Sequence, residues 1–365
     1  MIATPSVFAA PHFGAQQRPP TGIGTSRACS IFVQGCRSSP FRGERAALNQ
    51  KTILITGGTG FIGKRLGLAL KSDYRIILAG RNNKLAKQAQ DCTGCDALPL
   101  DVTNIESLRD IVVTARPNVI IHAAATKFVD NAERQPMECI DVNVLGSQNV
   151  ARVAMERGVE TVIGISTDKA SPPVRNTYGM SKALMERIFC SCNGMTGTRF
   201  VCVRFGNVAW SSGSVFPLWR SMQERTGVIG TTGPEMRRYF FTVDESVQLV
   251  LEALKNADRF QGKVLSRKMK AAQIEDILRV WVGHKGGNWE RVPGRPGERD
   301  DEFLVGDIEI PYATELELDG VTHYLLSFNE KAEKPVSYGL SSANTDRLTD
   351  AEILNLISNR PLEEV

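Results

Sequence analysis

The stretch Lys51-Thr-Ile-Leu-Ile-Thr-Gly-Gly-Thr-Gly-Phe-Ile-Gly63 decides the fold of this chain. Residues 52–56 form a short apolar run, which predicts a buried strand, and apolar periodicity up to about Leu70 predicts a helix directly after the glycines. A glycine turn at such a junction lets the backbone approach a pyrophosphate, whose charge the helix N-terminus stabilises. The spacing Gly-x-x-Gly-x-x-Gly at this junction therefore predicts a dinucleotide site rather than a simple loop. The residues predicted to form it are Gly57, Thr59, Gly60, Phe61, Ile62 and Gly63.

Further strands and helices alternate along the next 150 residues or so. Strands are predicted near 97–100, 118–121, 160–165 and 199–204, and helices near 104–115, 137–157 and 176–192. Repeated βα units predict an α/β fold with a doubly wound parallel sheet, a Rossmann domain. We assign residues 49–206 and 237–262 to this domain, and residues 207–236 and 263–365 to a smaller C-terminal α/β lobe that binds the substrate.

The second strand, residues 75–80, ends at Arg81, where an NAD-binding domain usually offers an acidic residue to the ribose hydroxyls. No acidic residue occurs before Asp91. Arg81 suits a 2′-phosphate instead, with Lys84 as a second cation, and this favours NADP over NAD. The alternative is a solvated basic turn.

Residues 166–182 place a hydroxyl, a carboxylate, two amines and a phenol in one run. If a helix begins at Asn176 or Thr177, Tyr178 and Lys182 lie on one face of it. The neighbouring ammonium then lowers the pKa of the Tyr178 phenol and makes it an acid/base candidate. The alternative is an exposed helix with a solvated lysine.

Five motifs occur in the order typical of the extended short-chain dehydrogenase/reductase family, which the chain resembles over about residues 50 to 360. They are Thr56-Gly-Gly-Thr-Gly-Phe-Ile-Gly63, Asp101-Val102, His122-Ala-Ala-Ala125, Asn143-Val-Leu-Gly146 and Tyr178-Gly-Met-Ser-Lys182. Five further segments resemble the inverting UDP-N-acetylglucosamine 4,6-dehydratases of polysaccharide biosynthesis. They are Ser166-Thr-Asp-Lys-Ala170, Arg204-Phe-Gly-Asn-Val208, Gly213-Ser-Val-Phe-Pro217, Met236-Arg-Arg-Tyr-Phe-Phe-Thr242 and Arg295-Pro-Gly-Glu298. Lys169 is the distinctive position, because dehydratases of other nucleotide sugars usually carry Glu there.

The resemblance implies a mechanism with five catalytic residues. Tyr178, assisted by Lys182, takes the C4 hydroxyl proton while a hydride passes to NADP⁺, and Thr167 hydrogen-bonds the C4 oxygen. Lys169 then removes the C5 proton and Asp168 protonates the departing C6 hydroxyl. For this Lys169 must lose its charge, so burial or a nearby cation such as Lys182 has to lower its pKa. Otherwise Lys169 is a structural ion-pair partner of Asp168.

The resemblance also implies cofactor and substrate contacts outside the catalytic run. Further cofactor contacts are Asp101, Val102, Ala123, Ala124 and Ala125, and substrate contacts are Lys127, Asn207, Arg238, Arg295 and Glu298. Arg238 and Arg295 are expected to bind the diphosphate, because guanidinium groups suit phosphate oxygens. Asn207 is assigned to the phosphate or sugar, and Glu298 to the uridine ribose. A UDP-sugar is thus the expected substrate.

Two departures from the family pattern concern the substrate entrance. Lys169 and Tyr178 are nine residues apart where the family usually has eight, and Pro172-Pro173 lies in the lengthened loop. After Glu298 the chain reads Arg-Asp-Asp-Glu-Phe where the family has Lys-Leu-His-Glu. We therefore predict the reaction class more firmly than the identity of the sugar.

Charge and composition exclude several other classes of protein. The first 43 residues contain four Arg and no Lys, Asp or Glu, which leaves 40 basic and 40 acidic residues in the rest of the chain. The remainder is neutral overall, so no nucleic-acid partner is predicted. We interpret residues 1–48 as a disordered extension, which a misassigned start would explain, and the alternative is an organellar transit peptide. The chain lacks the run of about 18 apolar residues that a membrane span needs, so we expect a cytoplasmic protein. We also expect it to form a homo-oligomer.

Eight cysteines are scattered through the chain. Cys92-Thr-Gly-Cys95 could form half of a zinc site, but Cys190-Ser-Cys192 has the wrong spacing for the other half, and we predict no metal. His122 is predicted to be a packed histidine at a strand end. Two alternatives to the dehydratase remain: a nucleotide-sugar 4-epimerase or reductase, and a non-catalytic NADP-binding structural subunit.

Overall fold

Six parallel strands form the main part of a nine-stranded sheet in the computed structural model, which describes residues 50–361. The predicted N-terminal extension, residues 1–48, lies outside that range. The six strands are β1 (Thr52–Thr56), β2 (Arg75–Gly80), β3 (Asp96–Pro99), β4 (Val119–His122), β5 (Thr161–Thr167) and β6 (Arg199–Phe205), in the spatial order β6-β5-β4-β1-β2-β3. Their apolar runs are typical of parallel strands, which are covered on both faces.

Helices cover both faces of this sheet, and the side chains of β1 show the two layers. Ile53 and Ile55 point into one core, which also contains Leu66 and Val250, while Leu54 points into the other core with Phe189. The helices are numbered in chain order. The first layer includes α1 (Phe61–Leu70), α2 (Asn83–Thr93) and α9 (Val243–Lys255). The second includes α3 (Ile105–Ala115), α6 (Gly146–Glu156) and α7 (Thr177–Cys192). The predicted doubly wound α/β fold is confirmed.

Short helices connect β4 to α6. They are α4 (Val129–Arg134), α5 (Pro136–Ile140) and a π-helical turn (Asp141–Leu145). Asn143, in the π-helical turn, accepts a hydrogen bond from the Thr126 backbone N–H at 2.8 Å and donates to the Ser181 hydroxyl at 2.9 Å. This one buried amide therefore joins the loop after β4 to helix α7.

Three strands from the C-terminal part extend the main sheet beyond β6. Strand β10 (Lys263–Arg267) pairs parallel with β6, β15 (Val321–Ser327) pairs antiparallel with β10, and β14 (Ala313–Leu318) pairs antiparallel with β15. The predicted domain boundary at residue 262 falls one residue before β10. The division into domain and lobe stays a prediction, since residues 48–365 cluster as one unit.

The remaining strands and helices lie outside the nine-stranded sheet. The strands are β7 (Asn207–Val208), β8 (Val228–Thr231), β9 (Arg237–Phe241), β11 (Ala271–Gln273), β12 (Asn288–Arg291), β13 (Phe303–Val305) and β16 (Leu340–Ser341). The helices are α8 (Val215–Thr226), α10 (Ala257–Phe260), α11 (Ile274–Lys285) and α12 (Asp350–Ser358). Aromatic rings of Trp210, Phe216, Trp219 and Trp281 pack together with centroids 5.5–6.3 Å apart. This cluster anchors α8 and α11 beside the site.

Candidate active site

The glycine turn after β1 has the geometry of a phosphate cradle. Gly57 has a φ of +69°, and a Cβ there would lie 2.6 Å from the Ala124 backbone nitrogen. A Cβ on Gly63 would lie 2.4 Å from the Cα of Gly58, so α1 can approach the turn only with glycine at this position. Gly60 precedes α1 and has no side chain to cap it. The first N–H groups of α1 lack intrahelical partners and fit the pyrophosphate of a dinucleotide.

The other predicted cofactor residues lie around this turn. A Cβ on Gly80, at the end of β2, would meet the Thr59 hydroxyl at 2.5 Å, and the exposed Arg81 follows directly. The Asp101 carboxylate accepts hydrogen bonds from the Thr103 backbone N–H at 3.0 Å and from its hydroxyl at 2.8 Å. Val102 is buried, whereas Ala123, Ala124 and Ala125 are half-buried beside Gly57. The residues present therefore fit a nicotinamide dinucleotide.

His122 is a packed core residue, as predicted. It is fully buried, and its two ring nitrogens lie 2.7 Å from the Thr56 hydroxyl and 3.0 Å from the Ser147 hydroxyl. Burial, aided by the positive charge of Lys182, lowers the pKa of His122 to about 3, so the ring is neutral. It links the end of β1 to α6.

The turn that carries the predicted catalytic residues Thr167, Asp168 and Lys169, which we call the catalytic turn, begins where β5 ends. Thr167 caps a 3-10 turn (Asp168–Ala170) and accepts a hydrogen bond from the Lys169 backbone N–H at 3.4 Å. One carboxylate oxygen of Asp168, Oδ1, accepts from the Thr167 hydroxyl at 2.9 Å and from the Lys169 ammonium at 3.1 Å. Three of the five predicted catalytic residues thus form one hydrogen-bonded group.

Helix α7 brings Tyr178 and Lys182 to this turn. Asn176 caps the helix through the Gly179 backbone N–H at 2.7 Å, so α7 begins where the sequence predicted. A Cβ on Gly179 would lie 2.2 Å from the Lys169 carbonyl oxygen, which makes the helix start and the catalytic turn a close backbone contact. Gly179 was not predicted as a site residue, although a glycine in the first turn of a helix was the available signal.

Substituting Gly179 with Ala should displace Tyr178 from Asp168 and Lys169. Because the new Cβ would contact backbone, relief requires movement of the helix start, and we expect catalytic turnover to fall by about 100-fold, as small misplacements in active sites do. Gly283 in α11 is the matched control, since nothing lies within 4 Å of a Cβ there. Steady-state kinetics should show loss in the Gly179 variant and normal turnover in Gly283→Ala. Equal turnover in both variants would contradict the role of Gly179.

The predicted effect of Lys182 on Tyr178 is wrong for this structure. Burial and the negative charge of Asp168 raise the pKa of Tyr178, and the hydrogen bond with Thr167 offsets this only in part. The Lys182 ammonium lies 2.9 Å from the Met185 sulfur, and burial lowers its pKa to about 8. Its side chain extends into the core rather than toward the phenol, so the sequence spacing alone did not determine the contact.

The lowered pKa that the implied mechanism requires of Lys169 is not found in this structure. Its ammonium lies 3.4 Å from the Asn207 side-chain oxygen and 3.4 Å from a carboxylate oxygen of Glu302, in addition to Asp168. Burial opposes the positive charge, but the fields of Asp168 and Glu302 outweigh it and raise the pKa of Lys169. Lys182 is not the controlling neighbour.

Asp168 is the unusual carboxylate of the site. It is fully buried, and its second oxygen, Oδ2, has no hydrogen-bond partner among the described residues. Burial raises the pKa of Asp168, Glu302 adds to this, and Lys169 opposes it. A buried carboxyl group with a raised pKa is suited to donate a proton.

The predicted substrate residues divide into two groups. Asn207 and Arg238 lie close to the catalytic group, since Arg238 Nε is 3.9 Å from a Glu302 oxygen. The second group, Lys127, Arg295 and Glu298, is described by contacts with other nearby residues. The exposed Arg295 donates its backbone N–H to Glu298 at 2.9 Å, Glu298 accepts from the Thr232 hydroxyl at 2.9 Å, and the Lys127 ammonium is 5.6 Å from the centroid of the Phe128 ring.

Arg299 and Glu302 are site residues that the sequence analysis missed. The Arg299 guanidinium donates to the Pro173 carbonyl at 2.7 Å and to the Ser171 carbonyl at 3.3 Å, and it also forms an ion pair with Glu302. The two departures from the family pattern, the lengthened loop and the Arg-Asp-Asp-Glu segment, therefore contact each other. Both segments depart from the family pattern, and this shared departure was the sequence signal that could have identified Arg299 and Glu302.

A buried ion-pair network contacts the residues on either side of the catalytic turn. Arg204, in β6, is 1% exposed and forms ion pairs with Glu186 of α7 and with Glu309. Glu186 accepts from the Ser166 hydroxyl at 2.5 Å, and Glu309 accepts from the Ser171 hydroxyl at 2.9 Å. These two serines flank the catalytic turn on either side, so the network positions it.

The described cysteines are free thiols. Within residues 50–361, no group of three or more His, Cys, Asp or Glu side chains is placed to hold a metal ion. No helix within that range is long and apolar enough to cross a membrane.

The model of a family described as "polysaccharide biosynthesis protein" matches residues 53–320 of the chain. This protein belongs to that family. An inverting UDP-N-acetylglucosamine 4,6-dehydratase of Campylobacter jejuni is 31% identical over 337 residues, which cover 85% of this chain and 98% of that one. The family model and this relative confirm the predicted resemblance to that subfamily.

Other proteins that are similar to this chain carry different names. A UDP-glucose 4-epimerase of Rickettsia bellii is 34% identical over 331 residues, covering 85% of this chain and 96% of that one. Among solved structures, the protein Pen from Bacillus thuringiensis has a TM-score of 0.78 and 27% identity, covering 85% of this chain and 98% of that one. A UDP-glucose 4-epimerase of Thermus thermophilus, solved in complex with NAD, has a TM-score of 0.60 and 20% identity. The match covers 68% of this chain and 88% of that one. The last of these shows the fold alone.

Proposed function

We propose that this protein is a nucleotide-sugar 4,6-dehydratase that acts on UDP-N-acetylglucosamine or a close relative, with NADP as its bound cofactor. The relatives support an enzyme of nucleotide sugars, a dehydratase or an epimerase. The observation that carries the finer proposal is the buried Asp168–Lys169 pair, in contact with Thr167 and beside Tyr178. An epimerase needs no group to protonate a leaving hydroxyl, whereas elimination of water needs both a base and an acid.

The glycine turn after β1 would hold the cofactor, which would supply reversible hydride transfer. The residues of the chain then move protons. Tyr178 takes the C4 hydroxyl proton, for which its raised pKa must fall when substrate and cofactor are bound. Thr167 orients the C4 oxygen. Lys169 removes the C5 proton, which the new C4 carbonyl acidifies.

Asp168 completes the elimination by protonating the C6 hydroxyl as it leaves. Its Oδ2 has no hydrogen-bond partner among the described residues, and its raised pKa favours the protonated form. Asn207 and Arg238 lie within the same group and would bind the sugar and the diphosphate. Burial of the pair excludes water, which strengthens each of these interactions.

Incubation of the protein with UDP-N-acetylglucosamine in heavy water tests this function. Mass spectrometry and NMR should show a product that has lost one water and carries deuterium at C5, and the configuration at C5 shows whether that centre is inverted. A product of unchanged mass with a new configuration at C4 would establish the 4-epimerase instead. Bound cofactor without any product would favour the structural subunit.

The proposed preference for NADP rests on the exposed Arg81 at the end of β2. Its guanidinium suits the 2′-phosphate, so NADP should bind more tightly than NAD in calorimetric titrations. Substitution of Arg81 with Ala should weaken NADP binding by about 10-fold, the effect of losing one charge-assisted contact, and leave NAD binding unchanged. Lys87→Ala, in the exposed pair with Asp91, is the control. Tighter NAD binding by the native protein would refute the assignment.

A further inference from the structure

Glu302 is a second carboxylate in contact with Lys169. Its Oε1 lies 3.4 Å from the Lys169 ammonium, and its Oε2 accepts from Arg299 Nε at 3.0 Å. The residue is 3% exposed. Lys169 therefore pairs with two buried carboxylates, of which the mechanism above uses only Asp168.

The backbone of Glu302 is anchored by Ser342, which lies beyond the region matched by the family model. The Glu302 N–H donates to the Ser342 hydroxyl at 3.0 Å, and the Ser342 N–H donates to the Glu302 carbonyl at 2.8 Å. The same hydroxyl lies 2.9 Å from the Asp301 carboxylate. The segment after residue 340 thus holds Glu302 in place against Lys169.

The two carboxylates that flank Lys169 differ in their protonation. Burial opposes the negative charge on Glu302, but Lys169, Arg238 and Arg299 outweigh it and lower its pKa. The pKa of Asp168 is raised, by burial and then in part by Glu302 itself. The charged and titratable groups that face Glu302 are Asp168, Lys169, Arg238, Tyr239 and Arg299.

We propose that Glu302 is a positioning residue whose fixed negative charge keeps one proton within the Asp168–Lys169 pair. This inference rests on the proposed dehydratase function. A shift of that proton from Lys169 Nζ to Asp168 Oδ1, which are 3.1 Å apart, breaks the N–H bond and forms the O–H bond. The result is a neutral Lys169 base and a protonated Asp168 acid, with no change in total charge. Both forms that elimination requires then arise in one step.

The sign of the pH dependence follows from the charge of Glu302. An anion beside both groups raises the pKa of each, so the one-proton state of the pair lasts to higher pH. Glu302→Gln keeps an acceptor for Arg299 but removes the charge. The pKa values of Asp168 and Lys169 both fall, and the bell-shaped pH profile of kcat should move to lower pH by about one unit.

Two measurements on the full chain test the proposal. The first is the pH profile of kcat for dehydration. The second, independent of activity, is the pH dependence of Lys169 acetylation by acetic anhydride, which reacts only with the neutral amine and is read by peptide mass spectrometry. Asp301→Asn is the matched control, because it removes the same charge from the same segment while Asp301 pairs with Arg237 at 2.7 Å. Glu302→Asp keeps the charge.

The expected result is a downward shift of both profiles in Glu302→Gln, with profiles close to the native ones in Asp301→Asn and Glu302→Asp. If Glu302→Gln leaves Lys169 acetylation at its native pH dependence, or if Asp301→Asn shifts it equally, the proposal is overturned. If acetylation shifts as expected but no variant or native protein eliminates water, the proposed function fails while the control of Lys169 protonation by Glu302 stands. If Glu302→Gln does not fold, native-like profiles in Glu302→Asp support the proposal and shifted ones overturn it.

Discussion

Replacement of Lys169 with Met should abolish deuterium incorporation at C5 and leave the cofactor bound. Methionine fills a similar volume but cannot take a proton, so the C5 step loses its base while the glycine turn after β1 is untouched. General base catalysis contributes about 100- to 10,000-fold, and we expect the rate of dehydration to fall by that amount. Incubation with the nucleotide sugar in heavy water, followed by NMR at C5, measures the effect.

The matched control for this experiment is Lys268→Met. Lys268 is an exposed lysine whose ammonium pairs with Asp346 at 2.9 Å. This variant should turn over normally, since exposed ion pairs contribute little. Native deuterium incorporation in Lys169→Met would instead assign Lys169 to a structural ion pair with Asp168, the alternative left open by the sequence.

Replacement of Arg204 with Met should have the largest effect on stability. The Arg204 guanidinium donates to Glu186 at 2.6 and 3.0 Å, to Glu309 at 2.9 and 3.1 Å, and to the Leu304 carbonyl at 2.7 Å. Its removal leaves two buried carboxylates without a counter-charge. The free energy of unfolding, measured by urea denaturation, should fall by about 3–5 kcal/mol.

Two further variants identify the cause of that loss. In the triple variant with Glu186→Gln and Glu309→Gln, no uncompensated charge remains, so much of the stability should return. Arg279→Met breaks an exposed pair with Asp350 at 2.6 Å and should change the free energy by less than about 1 kcal/mol. A triple variant no more stable than Arg204→Met would show that lost packing, not unpaired charge, causes the effect.

Local sequence patterns predicted the elements of this fold because their signals are short-range. The apolar run and glycines of residues 51–63 specify a strand, a tight turn and a helix within one segment, and the structure confirms each. The helix that carries Tyr178 likewise begins at Thr177 after an Asn176 cap. Such features depend on neighbouring residues only.

Contacts between distant segments were beyond the sequence. Glu302 is 133 residues from Lys169 in the chain, yet its carboxylate determines the charge state of that lysine together with Asp168. The rotamer of Lys182, which points to Met185 rather than to the phenol, depends on the core around it. The strands β10, β14 and β15 joined the main sheet through pairings that no periodicity encodes.

By itself, the sequence determined the α/β class, the strand, glycine turn and helix of residues 52–70, and the helix that carries Tyr178, because each depends on adjacent residues. Only the tertiary structure decided which charges surround Lys169 and Asp168, and hence their pKa values. The physical reason is that burial and the fields of buried charges depend on distances in space. Those distances are set by the packing of residues 299–302 and 342 against the end of β5.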